Sequence, residues 1–490
     1  MTPSLLPLLA LAPAALALPL IVASRRRPAL REAWSVAAAL AQTGLVALMV
    51  PPVLAGSVPA WTGPPLLPGQ PLTLRADPLA VLFGLTASAL WVATTVYSIG
   101  YTRALGERHL TRYFAAFALC LLATLGLALA GDLVTFFLFF ELLTVAAYPL
   151  VVHVGSDEAR RAGRIYLAYT LTGGSALLAA VAATAVVAGR LDFVPGGFLP
   201  PDSASPAGLA ALLGLFVVGC GVKAALVPLH TWLPVAMVAP TPVSALLHAV
   251  AVVKAGVFGL ARVTGFVFGP ATLEAVGGTS GLTWLALATI ALASLTALAE
   301  DNLKRRLAFS TVSHLAYVVV GVGLGPAAAF AGGLLHLGAH ALLKITLFFC
   351  AGALHVAAHV ERVSEMDGVG RRMPVTMTAF AVAAFLLAGL PPGAAFVSKW
   401  ALLVGAADAR AWAAVVVLGA AGLLNVAYFA PPVVRAFRAP AAPGVHEAPL
   451  TMLAPLVITA AAGLLLGLAP AGWVPVLPLA RLAADSVATP

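Results

Sequence analysis

Four lysines (Lys223, Lys254, Lys344 and Lys399) and one glutamate (Glu141) stand inside long apolar runs of this 490-residue chain. Such groups are placed for proton exchange. Taking a lysine out of water disfavours its charged form, so a buried amine can pass a proton on near neutral pH. Glu141 lies in Thr135-Phe-Phe-Leu-Phe-Phe-Glu-Leu-Leu-Thr144, close to the middle of its apolar run. As a movable counter-charge it would hold Lys223 protonated when close and let it release the proton when apart. Each charge inside a bilayer costs roughly 2.5–3.5 kcal/mol, so five of them amount to more than about 12 kcal/mol. A plainer reading has the lysines snorkel or lock helices through ion pairs. It accounts for a single residue better than for the set, because one glutamate cannot neutralise four lysines.

Histidines add intermediates. His336, His340 and Lys344 are spaced i, i+4, i+8, which at 100° per residue makes one stripe about 80° wide along a helix. His248 precedes Lys254 by six residues, His314 sits in Ser310-Thr-Val-Ser-His314, and His230 lies in a proline-rich stretch. With a reference pKa near 6.5, imidazole exchanges protons at little cost in either state. A metal site at His336-x-x-x-His340 would lack a third ligand of Cys or acid type. His355 and His359 read as satisfied core histidines. Cys120, Cys220 and Cys350 are isolated in apolar runs and read as small hydrophobes. No iron–sulfur, haem, zinc or phosphate-loop motif occurs. Neither a cofactor nor a bound metal is therefore expected, and no redox or hydrolytic site; as an enzyme the chain would be at most a translocase subunit.

The elements that must hold these residues follow from composition. Hydrophobic residues make up 61% of the chain and charged residues 9%, against roughly 25% charge in a soluble domain. That excludes a cytosolic enzyme, a secreted protein and a disordered chain. Spans of about 20 apolar residues fall near 4–22, 33–55, 78–101, 113–130, 133–152, 165–189, 207–228, 241–263, 283–299, 307–326, 330–356, 374–408, 411–430 and 449–475. The fold class is an all-α polytopic membrane protein with about 14 transmembrane helices. With both termini outside, the inner loops collect 18 of the 27 Lys and Arg residues, from the Arg25–Arg27 cluster to Arg435 and Arg438. Arg75, Arg190, Arg262, Arg410 and Arg481 fall outside, and the four buried lysines complete the set. The net charge of +9 is thus topology rather than affinity for nucleic acid. The expected location is the cell (inner) membrane, multi-pass, with both termini on the outer or periplasmic side.

Two spans look interrupted. Val227-Pro-Leu-His-Thr-Trp-Leu-Pro234, running on to Pro240-Thr-Pro242, and Gly389-Leu-Pro-Pro-Gly393 place prolines within apolar stretches. Non-helical backbone at membrane depth survives only where protein or a water-filled cavity satisfies it, and broken helices are a transporter feature. Each break also lies near a membrane lysine.

Taken in order, these segments resemble the antiporter-like proton-translocating subunits of respiratory complex I (L, M and N types), of Mrp-type cation/proton antiporters (A and D subunits) and of membrane-bound hydrogenases. The resemblance rests on the Phe-Phe-Glu141-Leu-Leu helix, Lys223 ahead of Pro228-Leu-His230-x-Trp232-Leu-Pro234, and Ala239-Pro-Thr-Pro-Val-Ser-Ala-Leu-Leu-His248 running into Val253-Lys254-Ala-Gly256. It continues in Leu303-Lys-Arg-Arg-Leu-Ala-Phe-Ser-Thr-Val-Ser313, His340-Ala-Leu-Leu-Lys344 with Leu347-Phe-Phe, and Gly389-Leu-Pro-Pro392 leading to Ser398-Lys399.

The resemblance implies two inverted five-helix repeats, each with one broken helix. It divides the chain into N-terminal helices (1–112), a first half-channel repeat (113–264), a second (265–430), and a C-terminal helix and tail (431–490). It implies that Glu141 and Lys223 form the ion pair of the first half-channel and that Lys254 connects onward. It also implies that His340 and Lys344 are the central relay and that Lys399 serves the exit; the residue spacing adds His248 and His336 to the relay residues, with His230 and His314 secondary. Lysine at 399, where M-type subunits have glutamate, argues against that type. The chain ends soon after the fourteenth span, so the L-type lateral helix and the extra domains of the A-type antiporter are not expected. The tract Ser364–Pro374 is most like the D-type antiporter and hydrogenase branch. Leu233-Pro-Val-Ala-Met237 lacks the Asp and His of many complex I members, which leaves the inner uptake path open. The implied partners are other membrane subunits of an antiporter, complex I-like or hydrogenase assembly, the lipid bilayer, and protons, with Na+ or K+ left undecided. A free-standing solute permease and a purely structural spacer are the rivals from other classes.

Overall fold

Chain this apolar can satisfy its backbone in lipid only by closing hydrogen bonds within each segment, so helices dominate. The computed structural model describes residues 2–438, 440, 444, 446–469 and 475–488. The long helices are α1 (Leu6–Ala23), α2 (Pro28–Ala47), α3 (Pro78–Ala104), α4 (Leu110–Leu129), α5 (Leu133–Val151), α6 (Asp157–Ala188) and α7 (Pro206–Ala224). After a break comes α8, the stretch Thr241–Ala275, then α9 (Gly278–Ala299), α10 (Leu303–Gly323) and α11 (Ala327–Ala358). The chain continues through α12 (Pro374–Ala388), α13 (Ala394–Asp408), α14 (Trp412–Arg438), α15 (Leu450–Leu468) and α16 (Val476–Ala488).

Thirteen of these are long and apolar enough to cross a membrane among the described residues. The remaining expected span, 374–408, is two 15-residue helices, α12 and α13, separated at Gly389–Gly393. The span expected at 449–475 is helical over Leu450–Leu468, and its residues 470–474 lie outside the described residues. Helix starts follow the sequence locally. Asp77, Asp132, Ser156, Ser205 and Asn302 each accept a hydrogen bond from a backbone N–H in the first turn of α3, α5, α6, α7 and α10.

One feature is not helical. Thr2–Pro3 pairs in parallel with Pro59–Leu67, which pairs antiparallel with Gln70–Arg75, giving a three-stranded sheet at one end of the bundle. Beneath it Asp77 and Arg262 form a two-pronged ion pair at 2.6 and 3.0 Å. Arg262 is therefore not in an outer loop, as its place after 241–263 suggested. It is 1% exposed and lies within α8, which continues to Ala275. Its guanidinium stacks at 4.7–5.2 Å from the ring centres of Phe193, Phe258 and Phe266, so the ion pair ties the start of α3 to α8.

The arginine-rich loops meet at the opposite end. Arg112 donates to His153 O at 3.1 Å, Ser364 Oγ donates to Asp301 at 2.7 Å, and Gly368 N donates to Arg435 O at 3.2 Å. Loops the charge count places on one side are thus in mutual contact.

Helices pack through small residues, which let backbones approach where the hydrophobic effect offers no drive. A Cβ on Gly256 would run into the backbone of Lys223 and Ala224, where α8 crosses the end of α7. At Gly321 it would lie 2.6 Å from Ala329 O and from the Cα of Gly333, at the crossing of α10 and α11.

This packing can be tested at two places. Gly256→Val should overpack the α7–α8 crossing and cost about 1–3 kcal/mol, read as a lower thermal midpoint in detergent than that of Gly422→Val, where nothing lies within 4 Å of an added Cβ. Arg262→Met should cost about 3–5 kcal/mol by stranding a buried carboxylate, and adding Asp77→Asn, which keeps the helix cap, should restore much of the loss. Burial pushes the Asp77 carboxyl up, but Arg262 and Arg75 outweigh it and hold it below its ordinary value. The pair's stabilisation should thus be present above the ordinary carboxylate value of about 3.9 and fade as pH falls through the lower folded value.

Candidate proton-relay site

Lys223 lies in the last turn of α7, where the sequence turns from apolar helix to Val227-Pro228. The helix ends at Ala225, in left-handed conformation at φ 56°, and the orphaned backbone is satisfied from outside. Trp232 Nε1 donates to Val222 O at 2.8 Å, Val227 N donates to Thr289 Oγ1 at 3.2 Å, and Lys304 Nζ donates to Ala239 O at 2.9 Å. Short helical turns at Trp232–Val235 and Ala236–Val238 fill the gap before α8. At the second break, α12 ends at Gly389 with φ 102°, and Lys399 Nζ from α13 donates to Ala388 O at 2.8 Å. Both interruptions expected from the prolines are present, and each is closed by side chains of the protein.

Lys223, Lys254 and Lys344 are 0% exposed and Lys399 is 8% exposed. Among the described residues the lysines make no ion pair within 4.0 Å. Lys223 Nζ donates to Phe140 O and lies over the Phe140 ring at 3.5 Å. Glu141, the next residue, presses its carboxylate against Gly174 of α6, and its Oε1 is buried without a hydrogen-bond partner. The expected Glu141–Lys223 pair is therefore brought into one neighbourhood but held apart.

The central group is built on α11. Lys254 Nζ lies 2.7 Å from His340 Nδ1 and donates to Leu337 O at 3.0 Å. His340 stacks on His314 at 5.4 Å between ring centres. His314 Nδ1 lies 3.0 Å from His336 Nε2, and His336 Nδ1 lies 2.9 Å from Ser398 Oγ. Lys344 leaves this row and donates to Ser310 Oγ at 2.8 Å, which is 2.9 Å from Tyr428 Oη. The structure thus gathers Lys254, His314, His336, His340, Lys344 and Lys399 in one buried group.

His248 and His230 stand aside. His248 is buried in the π-helical turn Leu246–Val250, packed on Phe348 at 4.8 Å with no partner on either nitrogen. A π turn inside an α-helix is itself a frequent mark of function. His230 is half-buried in the first break, and its Nδ1 has no partner. His355 and His359 are not core histidines. His355 is half-buried and pairs with Glu361 at 3.0 Å, while His359 is exposed at the end of α11 with φ 55°, because the helix there runs out of the apolar interior. The three cysteines are buried and unpaired.

At the arginine-rich end a cavity of about 610 Å³ opens among Glu158, Arg161, Met237, Lys304, His355 and Glu361. It faces the Leu233–Met237 segment that carries no charged side chain of its own.

Ser310, Ser398, Asn425 and Tyr428 belong to the site although charge and histidine patterns do not single them out. The signal in the sequence is Asn425 with Tyr428 three residues on, two polar groups on one face of the otherwise apolar α14.

Buried titratable groups on broken helices, inside a bundle of apolar helices, define the class, which is that of ion-translocating membrane subunits. The family model described as "NADH:quinone oxidoreductase/Mrp antiporter, TM" matches residues 130–424. The chain belongs to this family of antiporter-like membrane proteins. It is 36% identical to "NADH-quinone oxidoreductase subunit N" of Desulforudis audaxviator over 81% of this chain and 82% of that protein. With the A/B component of a probable K(+)/H(+) antiporter of Rhizobium meliloti it shares 32% identity over 68% of this chain and 32% of that protein. Among solved structures the fold matches a chain of the Mrp complex from Dietzia sp. (TM-score 0.86, 24% identity, 99% of this chain and 97% of that one). It also matches a chain of respiratory complex I from Thermus thermophilus (TM-score 0.80, 24% identity, 99% of both chains).

Proposed function

We propose that the chain translocates protons as one subunit of a larger membrane complex, most like the D subunit of an Mrp-type cation/proton antiporter. The observation that carries this reading is the buried group from Lys254 through His340, His314 and His336 to Ser398 beside Lys399. Its amines and imidazoles have no carboxylate partner that would freeze them in one protonation state. Lys223 is the acceptor on the first broken helix, and Glu141, held apart from it here, is the counter-charge that approaches when Lys223 is to be charged. His248, with both nitrogens free, is placed to take part between Lys254 and Lys344. Lys399 releases protons through the second break, and His230 serves the first.

The cavity beside Leu233–Met237 is the uptake mouth on the inner side. Its acid and imidazole come from Glu361 and His355 rather than from the Asp and His absent at 233–237. The arginine-rich end faces the cytosol and the sheet faces outward, with both termini on that outer side of the cell membrane. Residues 113–264 and 265–430 act as two related half-channels, supported by a left-handed helix end and a proline turn beside a lysine in each. Na+ or K+ would be a second transported ion.

A second reading, a non-redox proton-pumping subunit of an NADH–quinone oxidoreductase, is favoured by the 36% identity with a subunit N over 82% of its length. Neighbouring genes for flavin and iron–sulfur subunits would decide for it. Under either reading, Lys223→Ala and Glu141→Ala in the reconstituted complex should cut proton flux at least about tenfold while the complex still assembles. Undiminished flux in both variants would remove the role assigned to the pair.

A further inference from the structure

At the arginine-rich end a buried cation lacks a partner of opposite charge. Arg31, the fourth residue of α2, is 5% exposed. Its Nη1 donates to Thr111 Oγ1 at 3.4 Å, and its guanidinium lies 5.5 Å from the ring centre of Phe114. Thr111 and Phe114 both belong to α4, so the cation is aimed at the first turn of that helix. Its Nε is buried with no hydrogen-bond partner. Among the described residues Arg31 makes no ion pair within 4.0 Å. The adjoining carboxylate, Glu32, is taken by Arg103 at the end of α3, whose Nε and Nη2 reach its two oxygens.

The surroundings add positive potential. α2 starts after Arg27 and α4 after His109, and neither start has a side-chain cap or an acid in its first turn. A helix start carries about half a positive charge and presents N–H groups without acceptors. Arg25, Arg26 and Arg27 form the exposed turn ahead of α2, and Arg27 O accepts from Arg31 N at 3.1 Å. Five arginines and two helix starts therefore share one carboxylate. A guanidinium buried against positive helix ends is costly unless an anion joins it. Arginine forks beside a helix start suit a phosphate in particular.

The flanks of this site are apolar. Val22 and Leu30, three residues to either side of the Arg25–Arg27 turn, are 52% and 37% exposed, and Leu16, Leu20 and Leu40 are exposed further along α1 and α2. A ligand with a negative head and apolar chains matches both parts. We propose that Arg31, with Arg25–Arg27 and the first turn of α4, binds the phosphodiester headgroup of an anionic phospholipid, whose acyl chains lie along α1 and α2. The site owes nothing to the relay reading. Exposed arginines alone are explained by topology, but an arginine buried at a helix start is not.

The test titrates the full chain, in neutral detergent, with phosphatidylglycerol or with phosphatidylcholine of the same acyl chains, and counts bound lipid by native mass spectrometry. Phosphatidylglycerol should bind at least about tenfold more tightly, and Arg31→Gln should lose about tenfold of its affinity, as expected for one charge-assisted contact. The exposed triple replacement Arg25→Gln, Arg26→Gln and Arg27→Gln should also weaken it several-fold, with the thermal midpoint in lipid-free detergent unchanged. Arg372→Gln, an exposed arginine at the same end, should leave it as it is. Equal binding of the two lipids, a preference left intact in both site variants, or an equal loss in Arg372→Gln would overturn the site. Displacement of phosphatidylglycerol by inorganic phosphate at equal concentration would overturn the lipid in favour of a free anion.

Discussion

The constraint on which the site depends is that its amines are held by main-chain carbonyls instead of carboxylates. Lys223 donates to Phe140 O, Lys254 to Leu337 O, Lys399 to Ala388 O, and Lys344 reaches Leu307 O at 3.4 Å. A carbonyl dipole solvates an ammonium without supplying a full opposite charge, so the neutral amine is not heavily penalised. A buried carboxylate at the same position would lock the proton in place, and its own loss would then be costly. The break between α12 and α13 serves this need. A helix that ends within the bundle leaves carbonyls free, and Ala388 O is one of them.

The second requirement is to keep water and lipid from filling these breaks at random. Trp232, Thr289 and Lys304 occupy the groups that the first break releases. Gly256 brings α8 against the end of α7 so that Lys254 and Lys223 sit on adjoining backbones. At the other end of α8, the Asp77–Arg262 pair and its three phenylalanines fix the helix to α3 under the sheet. Rigid anchoring at that end leaves the π turns of α8, at 246–250 and 263–268, as the places where this helix departs from regular geometry.

Much of this was legible in the sequence, because the membrane makes each exception conspicuous. A lysine or a Pro-Pro pair in an apolar run is costly enough to stand out, so the breaks and the buried lysines could be placed by residue. What could not be read is which groups touch. Spacing puts His336, His340 and Lys344 on one stripe, but contacts between helices split it, with Lys254 on His340, His314 on His336 and Lys344 turned away to Ser310. Ser310, Asn425 and Tyr428 are inexpensive polar residues whose role comes only from their neighbours. The sheet escaped because its strands carry Gly63, Pro64, Pro65 and Pro71, which read as loop, and Arg262 was misplaced because its partner lies 185 residues away.

A row of amines without acids would also act as a filter. An alkali cation must cross as a whole body and needs a cage of oxygens in place of its water shell. Between Lys254 and Lys399 it would meet ammonium groups and imidazole edges, and every protonated amine would repel it. A proton passed along the proposed relay would face no such barrier, because it would move between lone pairs and no ion would occupy the space between. On the proposed relay, an alkali cation moved by the assembly would need a path that avoids the amines and imidazoles around α11.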